Sequence, residues 1–185
     1  MFELLGCPIA VEQQHMSAVV LTESSAYPYA VGVVGHYLNR QPNNKKEATE
    51  LVRTLKKKKI NYSVGLAQVN QSNFANYGIT ESNMFDSCTN ITVGSRILKS
   101  CYDQYKDWDK AYSCYYSGNP TTGFKHGYVK KVKHNFGKLL KEIKSENNND
   151  TPLKIYPRKS NETIVVSEHT PSLLNRRLAS LLSKQ

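Results

Sequence analysis

The chain has 185 residues, 39% of them hydrophobic and 10% aromatic, which is too apolar for a disordered protein and sufficient for one packed core. The formal net charge of +10 is compatible with a nucleic acid, an acidic membrane surface or an acidic polymer as partner, but no apolar run approaches the roughly 20 residues of a transmembrane helix. Residues 1–6 lack the basic region and long apolar core of a signal peptide. We therefore expect either a protein that is not exported or a mature form preceded by an added Met.

Helices dominate the elements predicted along the chain, so the expected fold class is mainly α. The first helix is expected over residues 8–23, because Pro8 suits an opening helical turn and apolar residues recur on one helix face as far as Glu23. Residues 30–35 fit a short strand or an extended loop, and residues 61–70 are predicted to form a loop. Further helices are predicted over residues 45–59, 71–77, 89–105, 110–117 and 124–144.

The composition changes after residue 144, where a polar run with three consecutive asparagines begins. We expect a folded domain over residues 1–144, with +8 of the net charge, and a C-terminal tail over residues 145–185, with +2. Within the tail, an N-cap and a proline before a stripe of leucines predict a short amphipathic helix over residues 171–183. That helix either packs on the domain or docks on a partner.

The four cysteines, Cys7, Cys88, Cys101 and Cys114, are more typical of disulfides in an oxidising compartment than of a metal site. No Cys-x-x-Cys or closely spaced pair of histidines accompanies them, so we expect no zinc. Three connectivities are compatible with the sequence. If the predicted fourth and fifth helices form an antiparallel hairpin, Cys101 faces Cys114 and Cys7 is left for Cys88.

Glu23 is the first candidate for chemistry. A carboxyl on the apolar face of a helix is poorly solvated, which raises its pKa and allows it to act as a general acid near neutral pH. The alternative is an ordinary glutamate at a helix end, with its side chain in solvent.

Three segments resemble, in their order along the chain, the motifs of the soluble-type lytic transglycosylases, which share the goose-type lysozyme fold. They are Glu23-Ser24 followed by Pro28, residues 63–70 with their Gly-Leu-Ala-Gln run, and residues 111–119 with their Tyr-x-x-Gly ending. Residues 30–35, 85–90 and 115–129 are similar to the subgroup that accompanies type IV secretion and conjugation machines. The resemblance covers residues 7–135. The sequence departs from the common family pattern at Ala26, Tyr27, Ala67 and Tyr116.

This resemblance implies an α-rich, lysozyme-like domain that cuts peptidoglycan between N-acetylmuramic acid and N-acetylglucosamine without any cofactor or metal. It implies that Glu23 protonates the glycosidic oxygen and then takes a proton from the muramyl C6 hydroxyl, which closes a 1,6-anhydro ring. A second catalytic carboxylate, which glycosidases usually need, is then not required.

The resemblance also assigns substrate-binding positions. The candidates are Ser63, Gln68 and Tyr115, with Asn70 and Tyr116 as weaker ones. For Ser63 and Gln68 a purely structural role in the loop is an equal alternative. Asn90 is expected to cap a helix.

The expected function is local opening of the cell wall, in the periplasm or cell envelope, for a type IV secretion or conjugation machine. Peptidoglycan is the expected partner, with secretion proteins reached through residues 145–185. The alternatives are a goose-lysozyme-like hydrolase, an inactive peptidoglycan-binding scaffold and a basic DNA-binding protein. The last is disfavoured, because Lys56–Lys59 fits a solvated helix end and no nucleic-acid-binding motif is present. We expect neither a nucleic-acid partner nor a membrane span.

Overall fold

Helices and one small antiparallel sheet form the fold in the computed structural model, which describes residues 6–148. The helices are α1 (Gln13–Ser24), α2 (Lys45–Lys57), α3 (Phe74–Tyr77), α4 (Ser87–Tyr105), α5 (Trp108–Ser117), α6 (Thr122–Lys125) and α7 (Tyr128–Asn148). The strands are β1 (Val31–Val33), β2 (Tyr62–Val64) and β3 (Val69–Asn70), and a 3-10 turn (Gln71–Asn73) precedes α3. The predicted fold class, mainly α, is confirmed. The predicted tail helix lies outside the described residues, and no helix within them is long and apolar enough to cross a membrane.

Helix α1 begins later than predicted, at Gln13 instead of Pro8. The segment before it lies on α4, where Thr92 Oγ1 donates a hydrogen bond to the carbonyl of Pro8 at 2.8 Å. The amide of Ala10 donates to Ser95 Oγ at 3.0 Å. The carbonyl of Pro8 and the amide of Ala10 therefore have their hydrogen-bond partners on α4, and they do not need an additional turn of α1 to supply them.

The loop predicted over residues 61–70 is wrong, because this segment forms strands β2 and β3. Strand β2 is central and pairs antiparallel with both neighbours, with Ser63 opposite Gly32 in β1 and Asn70 in β3. The turn between β2 and β3 uses left-handed backbone conformations at Gly65 (φ 78°) and Gln68 (φ 46°). Strands of two and three residues are too short to show the alternation by which a sequence predicts a strand.

Helices α4 and α5 form the predicted antiparallel hairpin. Disulfides join Cys101 to Cys114 across this hairpin and Cys7 to Cys88, with Cα atoms 5.8 and 5.0 Å apart. The structure therefore selects, from three connectivities, the one that the hairpin favours. The Cys7–Cys88 bond fixes the segment before α1 to the start of α4.

The single helix predicted over residues 124–144 is broken into α6 and α7. Gly127 adopts a left-handed conformation (φ 72°) between them, and its amide donates to the carbonyl of Phe124 at 3.1 Å. Glycine adopts this conformation at little cost, so it ends α6 and lets α7 start in a new direction. Helix α7 continues to Asn148, beyond the predicted domain boundary at residue 144, which remains a prediction.

Helix α1 lies in the core, packed against α7 and α4. Met16, Val19 and Val20 are fully buried, and His15 stacks between the rings of Trp108 and Phe136. Because the helix is enclosed on several sides, its last turn holds Glu23 in a partly buried position.

Candidate active site

A cleft of about 670 Å³ lies between the end of α1, the sheet and the end of α5. All six side chains that the sequence singled out line it, namely Glu23, Ser63, Gln68, Asn70, Tyr115 and Tyr116. Within residues 6–148, Glu23 is the only ionisable carboxyl that lines the cleft, and no lysine, arginine or histidine of this range lines it.

The C-terminal end of α1 is fixed by contacts to the turn between β2 and β3. Ser24 Oγ donates a hydrogen bond to the carbonyl of Leu66 at 2.8 Å. Ser25 and Ala26 then adopt left-handed conformations, with φ of 53° and 62°, which end the helix at Ser24, one residue after Glu23. The carboxyl is therefore held at a defined place on the cleft wall.

Glu23 is partly buried, and its Oε1 accepts a hydrogen bond of 2.5 Å from the hydroxyl of Tyr128. Burial raises the pKa of Glu23 from 4.5 to about 7, although the hydrogen bond from Tyr128 opposes this shift. A large fraction of the carboxyl is thus protonated near neutral pH. This is the state that a general acid requires.

Tyr115 lies beside the acid, and its hydroxyl donates to the carbonyl of Ala67 at 2.6 Å. Burial, followed by the negative charge of Glu23, raises the pKa of Tyr115 well above its usual value. The phenol therefore stays protonated and presents a neutral surface to the cleft.

Ser63 and Asn70 belong to a wall of neutral hydrogen-bonding groups on the sheet side of the cleft. Asn70 Nδ2 donates to Ser63 Oγ at 3.2 Å and to Asn61 Oδ1 at 3.0 Å. Within the described residues, Ser63 forms no hydrogen bond with Glu23. The sequence did not single out Asn61, Ser72 and Asn73, which also line this wall.

Gln68 uses its amide nitrogen to hold the backbone around the cleft. Its Nε2 donates to the carbonyls of Ala30 and Gly65, both at 3.0 Å. Its Oε1 lies so close to Gly32 that a Cβ at that position would approach it to 2.5 Å. Gln68 therefore has the structural role in the loop that the sequence allowed. Its amide oxygen is the atom that could still bind a sugar.

The sequence did not single out Tyr128, although the Gly127-Tyr128-Val129 run belongs to the subgroup resemblance. The ring of Tyr128 stacks on Tyr116, with centroids 4.6 Å apart and planes inclined by 20°. The hydroxyl of Tyr116, a residue that is 44% exposed, lies 3.2 Å from Nδ1 of His126. The aromatic side chains thus continue from the acid to the protein surface.

The expectation that Asn90 caps a helix is wrong, because Asp86 caps α4. Asn90 is buried in the first turns of α4 and bonds the turn between β2 and β3. Its Oδ1 accepts from the amide of Ala67 at 2.8 Å, and its Nδ2 donates to the carbonyls of Val64 at 2.9 Å and Met84 at 3.2 Å. Asn90 therefore supports the cleft wall from behind.

Comparisons with known proteins identify the family to which this chain belongs. Residues 6–136 match the model of the Transglycosylase SLT domain family. The chain is 42% identical over 140 residues to the type IV secretion system protein virB1 of Brucella abortus biovar 1, a match that covers 68% of this chain and 59% of that protein. It is 32% identical over 135 residues to protein virB1 of Agrobacterium fabrum, with 68% and 54% covered. The corresponding protein of Rhizobium radiobacter is 30% identical over 135 residues, with 68% and 56% covered.

The chain thus spans only about half to three fifths of the length of these curated relatives. No solved structure gives a significant match. Within the described residues, no group of histidine, cysteine, aspartate and glutamate side chains could hold a metal ion.

Proposed function

Since the chain belongs to the Transglycosylase SLT domain family, we propose that it is a peptidoglycan lytic transglycosylase. Its proposed reaction is cleavage of the β-1,4 bond between N-acetylmuramic acid and N-acetylglucosamine, with formation of 1,6-anhydro-N-acetylmuramic acid. The observation that carries this proposal is the single carboxyl that the described part of the chain places in the cleft, Glu23, whose pKa is raised to about 7.

One carboxyl suffices for this reaction because it returns to its starting state. Glu23 donates its proton to the glycosidic oxygen, and the bond between the anomeric carbon and that oxygen breaks with its electron pair on the leaving sugar. The ionised Glu23 then removes the proton from the muramyl C6 hydroxyl while O6 attacks the anomeric carbon. The carboxyl is protonated again, and no water is consumed.

Tyr128 supports both protonation states of Glu23. Its hydroxyl bonds Oε1, so Oε2 is available to carry the transferred proton. When Glu23 ionises, this bond becomes charge-assisted and strengthens, which limits the cost of a negative charge in the interior. We assign Tyr128 a role in stabilising the carboxylate between the two proton transfers.

The neutral wall of the cleft fits a sugar polymer. Amides and hydroxyls both donate and accept hydrogen bonds, as sugar hydroxyls and N-acetyl groups require. We propose that Ser63, Asn70 and the amide oxygen of Gln68 bind the sugars from the sheet side, and that Tyr115 and Tyr116 contact them from the α5 side.

We place the activity in the periplasm or cell envelope, where it would open the cell wall locally for a type IV secretion or conjugation machine. The name of the Brucella relative, a type IV secretion system protein, and the two disulfides support this setting. Secretion proteins that contact residues 145–185 remain part of the proposal.

Digestion of purified cell-wall sacculi, followed by mass spectrometry of the products, tests the proposal. We expect 1,6-anhydro muropeptides from the wild type and a loss of turnover of at least about a thousandfold in Glu23→Gln, with folding retained. Products with reducing ends would identify a hydrolase instead. If neither protein has any turnover but both bind sacculi, the chain is a binding scaffold.

A further inference from the structure

Positive charge is concentrated next to one end of the cleft, at the corner between α6 and α7, which we define as residues 124–131. The basic groups of this corner are Lys125, His126, Lys130 and Lys131, all exposed. The sequence contains no acidic residue from position 119 to position 141. Lys125, Lys130 and Lys131 form no salt bridge within residues 6–148, so their charges are available to a partner.

The corner is continuous with the proposed active site. Tyr116 lines the cleft, and its hydroxyl lies 3.2 Å from Nδ1 of His126 in the corner. Its ring stacks on Tyr128, which bonds Glu23. Two side chains, those of Tyr128 and Tyr116, therefore separate the carboxyl of Glu23 from the imidazole of His126.

The cleft and the corner differ in the chemistry that they offer. The residues that line the cleft carry no positive charge, so a carboxylate inside the cleft would meet only neutral groups and Glu23. A carboxylate that leaves the cleft beside Tyr116 would instead reach the lysines of the corner. A neutral sugar chain with acidic branches would match both parts of this surface.

We propose that the corner binds the carboxylates of the peptide that branches from the N-acetylmuramic acid next to Glu23. This inference rests on the proposed function and names the part of the substrate that lies outside the cleft. An extended peptide of four residues spans roughly 13 Å, so it can carry carboxylates well away from the sugar to which it is joined. The corner then favours peptide-bearing strands over bare glycan.

The test compares two substrates, glycan strands that keep their peptides and the same strands after an amidase has removed them. For the wild-type chain at low ionic strength, we expect KM to be about three- to tenfold lower for the peptide-bearing strands, the size expected for a few exposed charge pairs. The difference should shrink in high salt, which screens such pairs. In Lys125→Gln/Lys131→Gln it should disappear, while kcat on bare strands stays unchanged.

The matched control is Lys138→Gln/Lys141→Gln, which removes the same amount of charge from α7, roughly 10–15 Å beyond Lys131 along that helix. We expect this control to keep the preference. Equal KM values of the wild type for the two substrates would overturn the proposal, as would equal losses in the two double variants. Absence of turnover on both substrates would instead count against the proposed function.

Binding to anionic phospholipid vesicles gives a separate check on the kind of partner. If the wild type binds such vesicles through Lys125 and Lys131 but does not distinguish the two kinds of strand, the corner contacts lipid and the peptide proposal is wrong. We expect no vesicle binding that depends on these lysines.

Discussion

At the scale of the single residue, Glu23 is held by two opposing influences. Burial at the end of α1 raises its pKa to about 7, and the hydroxyl of Tyr128 lowers it. The balance leaves a carboxyl that can give up a proton and take one back near neutral pH. Both influences can be tested by substitution.

Glu23→Gln should stabilise the protein at alkaline pH while it abolishes activity. The folded-state pKa lies above the ordinary value of 4.5, so ionisation of Glu23 weakens the fold as pH rises from 4.5 to about 7. The full penalty is at most about 3 kcal/mol and is reduced by the partial exposure of the side chain. Urea unfolding should show Glu23→Gln to be more stable by about 1–3 kcal/mol at pH 8, with the difference vanishing near pH 4. A variant that is equally stable or less stable at pH 8 would contradict this account.

Tyr128→Phe should move the alkaline limb of the pH–rate profile upwards. The wild-type rate is expected to fall as pH rises through about 7, because the acid must be protonated. Loss of the hydroxyl removes a bond that stabilises the carboxylate, so the pKa of Glu23 and the limb should rise by about one unit. Tyr112→Phe is the control, because its hydroxyl bonds His15 instead. A limb that stays in place in Tyr128→Phe would show that Tyr128 does not tune the acid.

At the scale of the element, the turn between β2 and β3 connects the parts of the site. Ser24 from α1, Tyr115 from α5 and Asn90 from α4 all bond its backbone. Glu23 and Tyr115 therefore keep their relative positions only if this turn is fixed. Asn90 is the buried member of the three and bonds the turn on both sides.

Asn90→Ala should cost about 2–4 kcal/mol of stability, because it leaves the buried amide of Ala67 and the carbonyl of Val64 without a partner. Asn83→Ala is a matched control. Asn83 also bonds backbone groups, but it is only half-buried and these hydrogen bonds are exposed to solvent, so water can replace them and the cost should stay below about 1 kcal/mol. Chemical denaturation measures both values, and similar costs for the two variants would refute the role of Asn90.

The helices with strong periodicity and clear ends could be predicted from the sequence. Helix α2 and the α4–α5 hairpin lie close to their predicted bounds, because their apolar periodicity is clear. The residues that cap them in the structure, Asn44, Asp86 and Asp107, were not predicted. The start of α1, the break at Gly127 and the short strands could not be predicted. Contacts with distant parts of the chain decide the start of α1, a single glycine decides the break, and the strands are too short to show a pattern.

Some residues of the site could be predicted from the sequence and others could not. The six predicted side chains could be identified because each lies in a motif of the family resemblance. The partner of Glu23, Tyr128, is 105 residues away in the sequence, so only the packing of α7 against α1 shows that they meet. The hydrogen bonds of Gln68 and Asn90 likewise depend on the conformation of a turn that the sequence did not predict.

At the scale of the whole molecule, the domain has two disulfides and an uneven distribution of charge. Cys7–Cys88 spans 81 residues, whereas Cys101–Cys114 spans 13 and closes the hairpin that carries Tyr115. The basic corner between α6 and α7 lies beside a cleft in which the described lining residues carry no positive charge. We propose that the excess positive charge holds an acidic polymer and that one carboxyl, Glu23, performs the chemistry.

Removal of the longer-range disulfide should destabilise the protein more. On a chain-entropy estimate, Cys7→Ser/Cys88→Ser should cost about 4.5 kcal/mol and Cys101→Ser/Cys114→Ser about 3 kcal/mol. Guanidinium unfolding of the two double variants measures the order. The reverse order would show that the Cys101–Cys114 disulfide stabilises the protein mainly in the folded state, and that its effect on the unfolded chain is the smaller contribution.

The source of the oxygen in the product tests the central claim most directly, namely that a single carboxyl drives attack by the sugar's own hydroxyl. Sacculi are digested in water labelled with a heavy oxygen isotope, and the products are analysed by mass spectrometry. We predict anhydro products that contain no heavy oxygen, formed by the wild type and not by Glu23→Gln. Incorporation of one heavy oxygen atom at each cut would show that water is the nucleophile and would contradict this mechanism.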